Sequence, residues 1–162
     1  MRFNLGVLLL IFSTLFCGIV SGADIAAQEI VCTPGEEREV DVWLTDADAG
    51  LAGYIMTPVF TGDAITSLRF IPSAEFMLSE VNEESQSVAA LDLYDALHLG
   101  SDSYLLGTLF IATSQGGNSV ISFDITEITD DMGEPVEVNQ GGIHISVGEE
   151  RPNMVIGLDT SL

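Results

Sequence analysis

Apolar residues recur at every second position along most of this chain, in brief runs bounded by Gly, Asp, Asn, Ser or Pro. A period of two places alternate side chains on opposite faces of a strand, and many such runs separated by turn residues predict an all-β sandwich. An apolar-rich run from Gly50 to Phe60 follows an acidic turn and precedes Thr61-Gly62-Asp63, and it is predicted to be the central strand. Tyr54, Met56, Pro58 and Phe60 would take one face of it, and Ile55, Thr57 and Val59 the other. Pro58 has no amide proton for a ladder hydrogen bond, so a bulge or break is expected beside it.

Alternation places further strands over residues 39–45, 87–93, 119–127 and 143–147, residues 26–33 and 65–71 read as short strands, and residues 104–113 are apolar on both faces, as expected for a strand lying mid-sheet. In residues 39–45, Val40, Val42 and Leu44 share one face and Asp41, Trp43 and Thr45 the other. The only Trp of the chain thus lies among polar neighbours. Two readings follow: another element covers it, or it is a platform for a sugar ring or a partner protein. Tyr104 is a second candidate platform. Residues 72–78 are read as a connection carrying Phe76 across the sandwich rim, and residues 80–86 as a solvated acidic loop. Residues 130–134 form a hairpin tip with Gly133 at a positive backbone dihedral. The closing strand points Ile143, Ile145 and Val147 inward and His144 outward. The last residues, 149–162, are a tail too short to span a bilayer.

Residues 1–23 carry one early charge at Arg2, an apolar block from Leu5 to Val20 and then Ser21-Gly22-Ala23, which is the pattern of a cleaved secretory signal. The expected organisation is therefore a leader over 1–23, one domain over 24–148 and the tail, in a secreted or cell-surface protein. Removal of the leader takes Cys17 with it and leaves Cys32 as a single buried thiol.

Composition narrows the partners. The 162 residues hold 25 Asp and Glu against four Arg and no Lys, for a net charge of −21. Nucleic acid and anionic membranes are repelled by such a surface, and cations are drawn to it. Two acidic turns are candidate calcium ligand sets: Asp46 with Asp48, and Asp130, Asp131 and Glu134. Neither completes a calcium-loop motif. The chain has no Gly-x-Ser-x-Gly elbow, no His-Glu-x-x-His helix, no Cys or His cluster and no phosphate loop, so no catalytic arrangement is legible and a binding module is expected.

Gly50-Leu51-Ala52-Gly53-Tyr54, Ala90-Leu91-Asp92-Leu93, Leu106-Gly107-Thr108-Leu109, Thr129-Asp130-Asp131-Met132-Gly133 and Gly141-Gly142-Ile143-His144-Ile145-Ser146-Val147, in that order, resemble a cohesin-type domain. The likeness is greatest to the divergent acidic cohesin-like domains of archaeal surface and secreted proteins. It implies a jelly-roll sandwich of about nine strands, related to carbohydrate-binding modules, which docks a partner on one sheet face and has no catalysis of its own. In bacterial cohesins the partner is a calcium-loaded dockerin. Gly53 and Ile55 stand where dockerin-gripping cohesins have Asn and Asp, so no partner-binding residue is carried over. From the residue pattern, an interface centred on Trp43, Ile55 and Val59 and rimmed by carboxylates is expected, with a protein partner. A carbohydrate-binding module using Trp43, acting in polysaccharide binding or breakdown, and a structural surface or spacer domain are the other readings.

Overall fold

The computed structural model describes residues 22–94, 97 and 103–148. The expected leader, apart from Gly22 and Ala23, lies outside these residues, as do the tail and most of the turn after Leu93.

Eleven strands appear among the described residues: β1 (Ala23–Ile25), β2 (Gln28–Cys32), β3 (Glu37–Thr45), β4 (Gly53–Gly62), β5 (Ile65–Pro72), β6 (Leu78–Val81), β7 (Val88–Leu91), β8 (Ser103–Thr113), β9 (Gly117–Thr129), β10 (Val138–Gln140) and β11 (Ile143–Val147). They form a five-stranded sheet in the order β10-β1-β3-β8-β5 and a six-stranded sheet in the order β2-β11-β9-β4-β7-β6. The core lies between the two sheets, as the period-two pattern requires. Val40, Val42, Leu44, Leu106, Leu109 and Ile111 meet Tyr54, Met56, Ile121, Phe123, Ile143 and Ile145 there, all buried.

Tyr54 shows why this core has one arrangement. Its ring stands edge-on to Phe76 at 5.1 Å between centroids, and its hydroxyl donates to the Leu106 carbonyl at 2.7 Å, tying β4 in one sheet to β8 in the other. Phe76, expected at the rim, is buried in the core. Gln140 makes a second tie. Its side-chain nitrogen donates to the Phe123 carbonyl at 2.8 Å and its oxygen accepts from the Phe123 amide at 2.9 Å, so an amide of β10 pairs with the backbone of β9 as a neighbouring strand would.

Several expectations are corrected. The first predicted strand, 26–33, is β2 alone, and an unexpected short strand, β1, precedes it in the other sheet: the chain crosses between sheets after Ile25, so that β1 pairs with β10 and β3, and β2 with β11. Residues 80 and 81 belong to β6 rather than to a loop, and its four residues are all exposed, which masks the alternation. In β4 the register irregularity falls between Ile55 and Met56, before Pro58, which is itself in register with Phe123. The proline is tolerated because β7 pairs only with Gly53–Met56, leaving one edge of β4 open at Pro58. Residues 130–134 are the expected hairpin tip, with Gly133 at φ +79°: Thr129 bridges Pro135 antiparallel and the Val136 amide donates to the Ile128 carbonyl at 2.8 Å, after which the chain passes to β10 in the other sheet.

Candidate functional site

The two outer sheet faces are chemically different, and they divide the residues expected to act together. Ile55 and Val59 alternate with buried Met56 and with Pro58 on β4, so they face outward from the six-stranded sheet. Trp43 alternates with buried Val42 and Leu44 on β3 and faces outward from the five-stranded sheet, where it is 41% exposed with no element over it among the described residues. The expected single patch of Trp43, Ile55 and Val59 is therefore two patches on opposite sides of the domain. Period two fixes in or out for each strand, but it carries no information on which sheet the strand joins. Tyr104 is buried at 2% exposure and is no stacking platform.

On the six-stranded sheet the outward positions assemble rows across strands. Leu78 of β6 lies opposite Leu91 of β7, which lies opposite Gly53 of β4. One step along, Glu80, Ala89, Ile55 and Glu127 share the next row. Val59 stands opposite Ser122 further along β4. Gly53 is needed where it is, because a Cβ there would meet the Ala90 carbonyl and the Leu91 side chain, both under 3 Å away. Its lack of a side chain lets Leu91 fold down over the strand.

Met77 precedes Leu78, and Leu93 and Tyr94 follow Leu91, so antiparallel pairing brings all five to one end of this sheet, and all are exposed. Asp92 fixes the backbone there, accepting from the Leu97 amide at 2.7 Å and from the Tyr94 amide at 3.2 Å. Leu97 is buried, and the segment is thereby pinned while Leu93 and Tyr94 stay in water. The ionised neighbours on this outer face, Glu29, Glu80, Asp124 and Glu127, are all acids and all exposed. Sequence reasoning missed Leu78, Leu91, Leu93 and Tyr94 as surface residues. The signal was present in residues 87–93, where Ala89, Leu91 and Leu93 oppose the buried Val88 and Ala90.

The polar end of the same face is a shallow groove lined by Thr61, Asn118, His144 and Ser146, with the Ser146 hydroxyl donating to the Asn118 side-chain oxygen at 2.9 Å.

The five-stranded sheet presents Glu37, Glu39, Asp41 and Trp43 from β3, Phe110 and Thr108 from β8, and Arg69 and Ile71 from β5. The Arg69 guanidinium lies over the Phe110 ring at 5.0 Å. Arg38 is already paired with Glu36 at 3.0 Å, and Glu36 also accepts from the Thr33 amide at 2.8 Å, which holds its carboxyl below the usual range.

The two acidic turns come close to each other at one end of the sandwich. Asp46, Asp48 and Asp130 line one cavity of about 230 Å³, and the Asp131 carboxylate lies over Gly50, held at φ +84°. Glu134 does not line that cavity. Asp130 turns its carboxylate onto its own loop, accepting from the Met132 and Glu134 amides at 2.9 Å each. Among the described residues no three acidic, His or Cys side chains converge as a metal site, and of the expected calcium ligands Asp130 shapes its own loop.

No protein-family model matches the chain, and no curated protein matches it. Solved structures do. The complex containing CaCohA2, of Clostridium acetobutylicum, matches with a TM-score of 0.60 at 14% identity, over 78% of this chain and 99% of that one. The OlpA cohesin of Clostridium thermocellum, in a type I cohesin–dockerin complex, matches with a TM-score of 0.55 at 17% identity, over 78% and 99%. A non-cellulosomal cohesin from the archaeon Archaeoglobus fulgidus matches with a TM-score of 0.54 at 14% identity, over 80% and 92%. The fold is cohesin-like, a jelly-roll sandwich.

Proposed function

We propose that this domain is a secreted, non-catalytic docking module that grips a protein partner with the outer face of its six-stranded sheet. The observation that carries this reading is the outward cluster of Leu78 and Leu91 in one row and Ile55 in the next, extended by Met77, Leu93 and Tyr94, on a face whose charges are all negative. Exposed apolar side chains gathered at one place mark an interaction site, and an apolar centre with a charged rim is the anatomy of an interface. Several of the similar solved structures are cohesin–dockerin complexes, so a dockerin-like protein is the partner class.

The rim defines the complement. With Glu80, Asp124 and Glu127 around the apolar row, the partner presents Lys or Arg at its edge, which speeds encounter and fixes orientation more than it adds affinity. Calorimetric titration of a panel of dockerin domains tests the proposal. Leu91→Asp and Ile55→Asp are expected to weaken binding by about thirtyfold or more, as for residues central to an interface, with the melting temperature unchanged. Trp43→Ala, on the other side of the molecule, leaves binding intact. Equal affinities for wild type, Leu91→Asp and Ile55→Asp, or binding by no dockerin, overturns the proposal.

A further inference from the structure

The five-stranded face has a charge pattern that the docking face lacks. Arg69, Phe110 and Glu39 form one row across β5, β8 and β3, since Phe110 is the register partner of both. All three point outward, because Phe70, Leu109 and Val40 beside them are buried. The sole ion pair among the described residues is Arg38 with Glu36, so Arg69 has no carboxylate within ion-pair distance and rests on the Phe110 ring instead. In so acidic a chain, an exposed guanidinium with no ion pair among the described residues is a group that a partner's carboxylate can meet.

The row is self-complementary. A two-fold axis in the plane of the interface, running along β8, carries position x across the sheet to −x on the facing copy. Arg69 of each copy then meets Glu39 of the other, with Phe110 against Phe110 at the centre. Cα atoms two strands apart are about 10 Å from each other, so the two Arg–Glu pairs bracket the aromatic pair. The next rows agree: Ser67 would face Glu37, and Ile71 would face Asp41, so no two carboxylates of these rows are brought together. With the axis along β8, the three strands β3, β8 and β5 overlap their counterparts, and at about 4.8 Å between strands and nine residues of β3 they give a contact of about 440 Å² per copy, about half of the roughly 800 Å² of a standard interface, which is the size of a weak, concentration-dependent dimer. Trp43, Leu105 and Ile71 supply apolar area around the central row.

We propose that the outer face of the five-stranded sheet is a homodimer interface, a second copy of this chain docking on it through reciprocal Arg69–Glu39 pairs around Phe110. An interface of this kind is isologous. It leaves the six-stranded faces pointing away from each other, so a dimer would present two docking faces at once.

Sedimentation equilibrium from micromolar to millimolar concentration tests the idea, in dilute buffer and in buffer with added salt. Wild type is expected to dimerise, more tightly with added salt, because the long-range repulsion between two strongly acidic bodies is screened while contact pairs are screened less. Arg69→Glu and Glu39→Arg are each expected to weaken the dimer about tenfold or more, and the two together to restore it, since the pair is only exchanged. The restoration separates a lost contact from a lost fold. Ile55→Asp should dimerise as wild type does, which keeps the outcome independent of the docking face. A wild-type monomer throughout, or a dimer indifferent to Arg69→Glu, or no restoration in the exchanged variant, overturns the proposal. A monomer whose retention on polysaccharide falls with Trp43→Ala would assign the face to glycan instead.

Discussion

Tyr54 carries the most information of any side chain in the core. Its burial pushes the hydroxyl well above its ordinary value near 10, so the neutral form is favoured in the folded state. The sign follows: the contribution of Tyr54 is intact below about pH 10 and is lost as the pH rises beyond that through the folded-state value. Tyr54→Phe is expected to cost about 1 kcal/mol at neutral pH, the net worth of its bond to the Leu106 carbonyl, and to flatten the alkaline limb of a stability-versus-pH curve from urea melts. Cys32 is the complementary case. Burial first, then the nearby Glu36 charge, raises its thiol above the ordinary range, so it stays protonated and unreactive. A thiol-reactive dye should label Cys32 only at the rate of unfolding, and rapid labelling of native protein would contradict that. Burial at both residues was legible from alternation: Tyr54 shares a face with Met56, and Cys32 closes an apolar run. The exposure of Trp43 was not, because a polar face is solvated or covered depending on elements that local pattern does not place.

Among the elements, the β3 and β11 segments follow the period-two pattern nearly to the residue, since each has one face in the core and one in water, and β8 was legible as a mid-sheet stretch apolar on both faces. β6 escaped notice because all four of its residues are exposed. β1 and β10 are too short, at three residues each, for any period to show. Sheet membership was the other blind spot, as Trp43 and Ile55 demonstrate, because strand order is decided by long-range pairing. Two substitutions test the joins between elements. Gln140→Ala removes the side-chain partners of both the Phe123 amide and the Phe123 carbonyl and is expected to destabilise by about 1–3 kcal/mol in chemical denaturation. Gly107→Ala puts a methyl group into the Ile71 carbonyl where β8 passes β5, at a similar cost of about 1–3 kcal/mol, although alanine is the better behaved residue in most strands.

For the molecule as a whole, charge sets the conditions under which the sandwich is most stable. A net charge of −21 on 162 residues repels itself, and only four arginines offset it. Melting temperature is therefore expected to rise with sodium chloride over the range in which the Debye length shrinks from about 30 to 3 Å, and a flat or falling profile would show that self-repulsion is not a significant term. The charge and the class of architecture were both legible in the sequence. The meeting of the two acidic turns was not, since Asp46 and Asp130 are brought together only by the closure of the sandwich.

The parallel alignment of β2 with β11 has a mechanical consequence. Gln28 pairs with Ile143 and Cys32 with Val147, so a pull on the chain ahead of β2 and behind β11 acts along both strands in opposite directions. Their ladder would be loaded in shear, with its rungs sharing the tension instead of unzipping one after another. A domain held at both ends under flow should thus resist extension better than the same domain gripped across a hairpin, and force spectroscopy with the two attachment geometries would measure the difference.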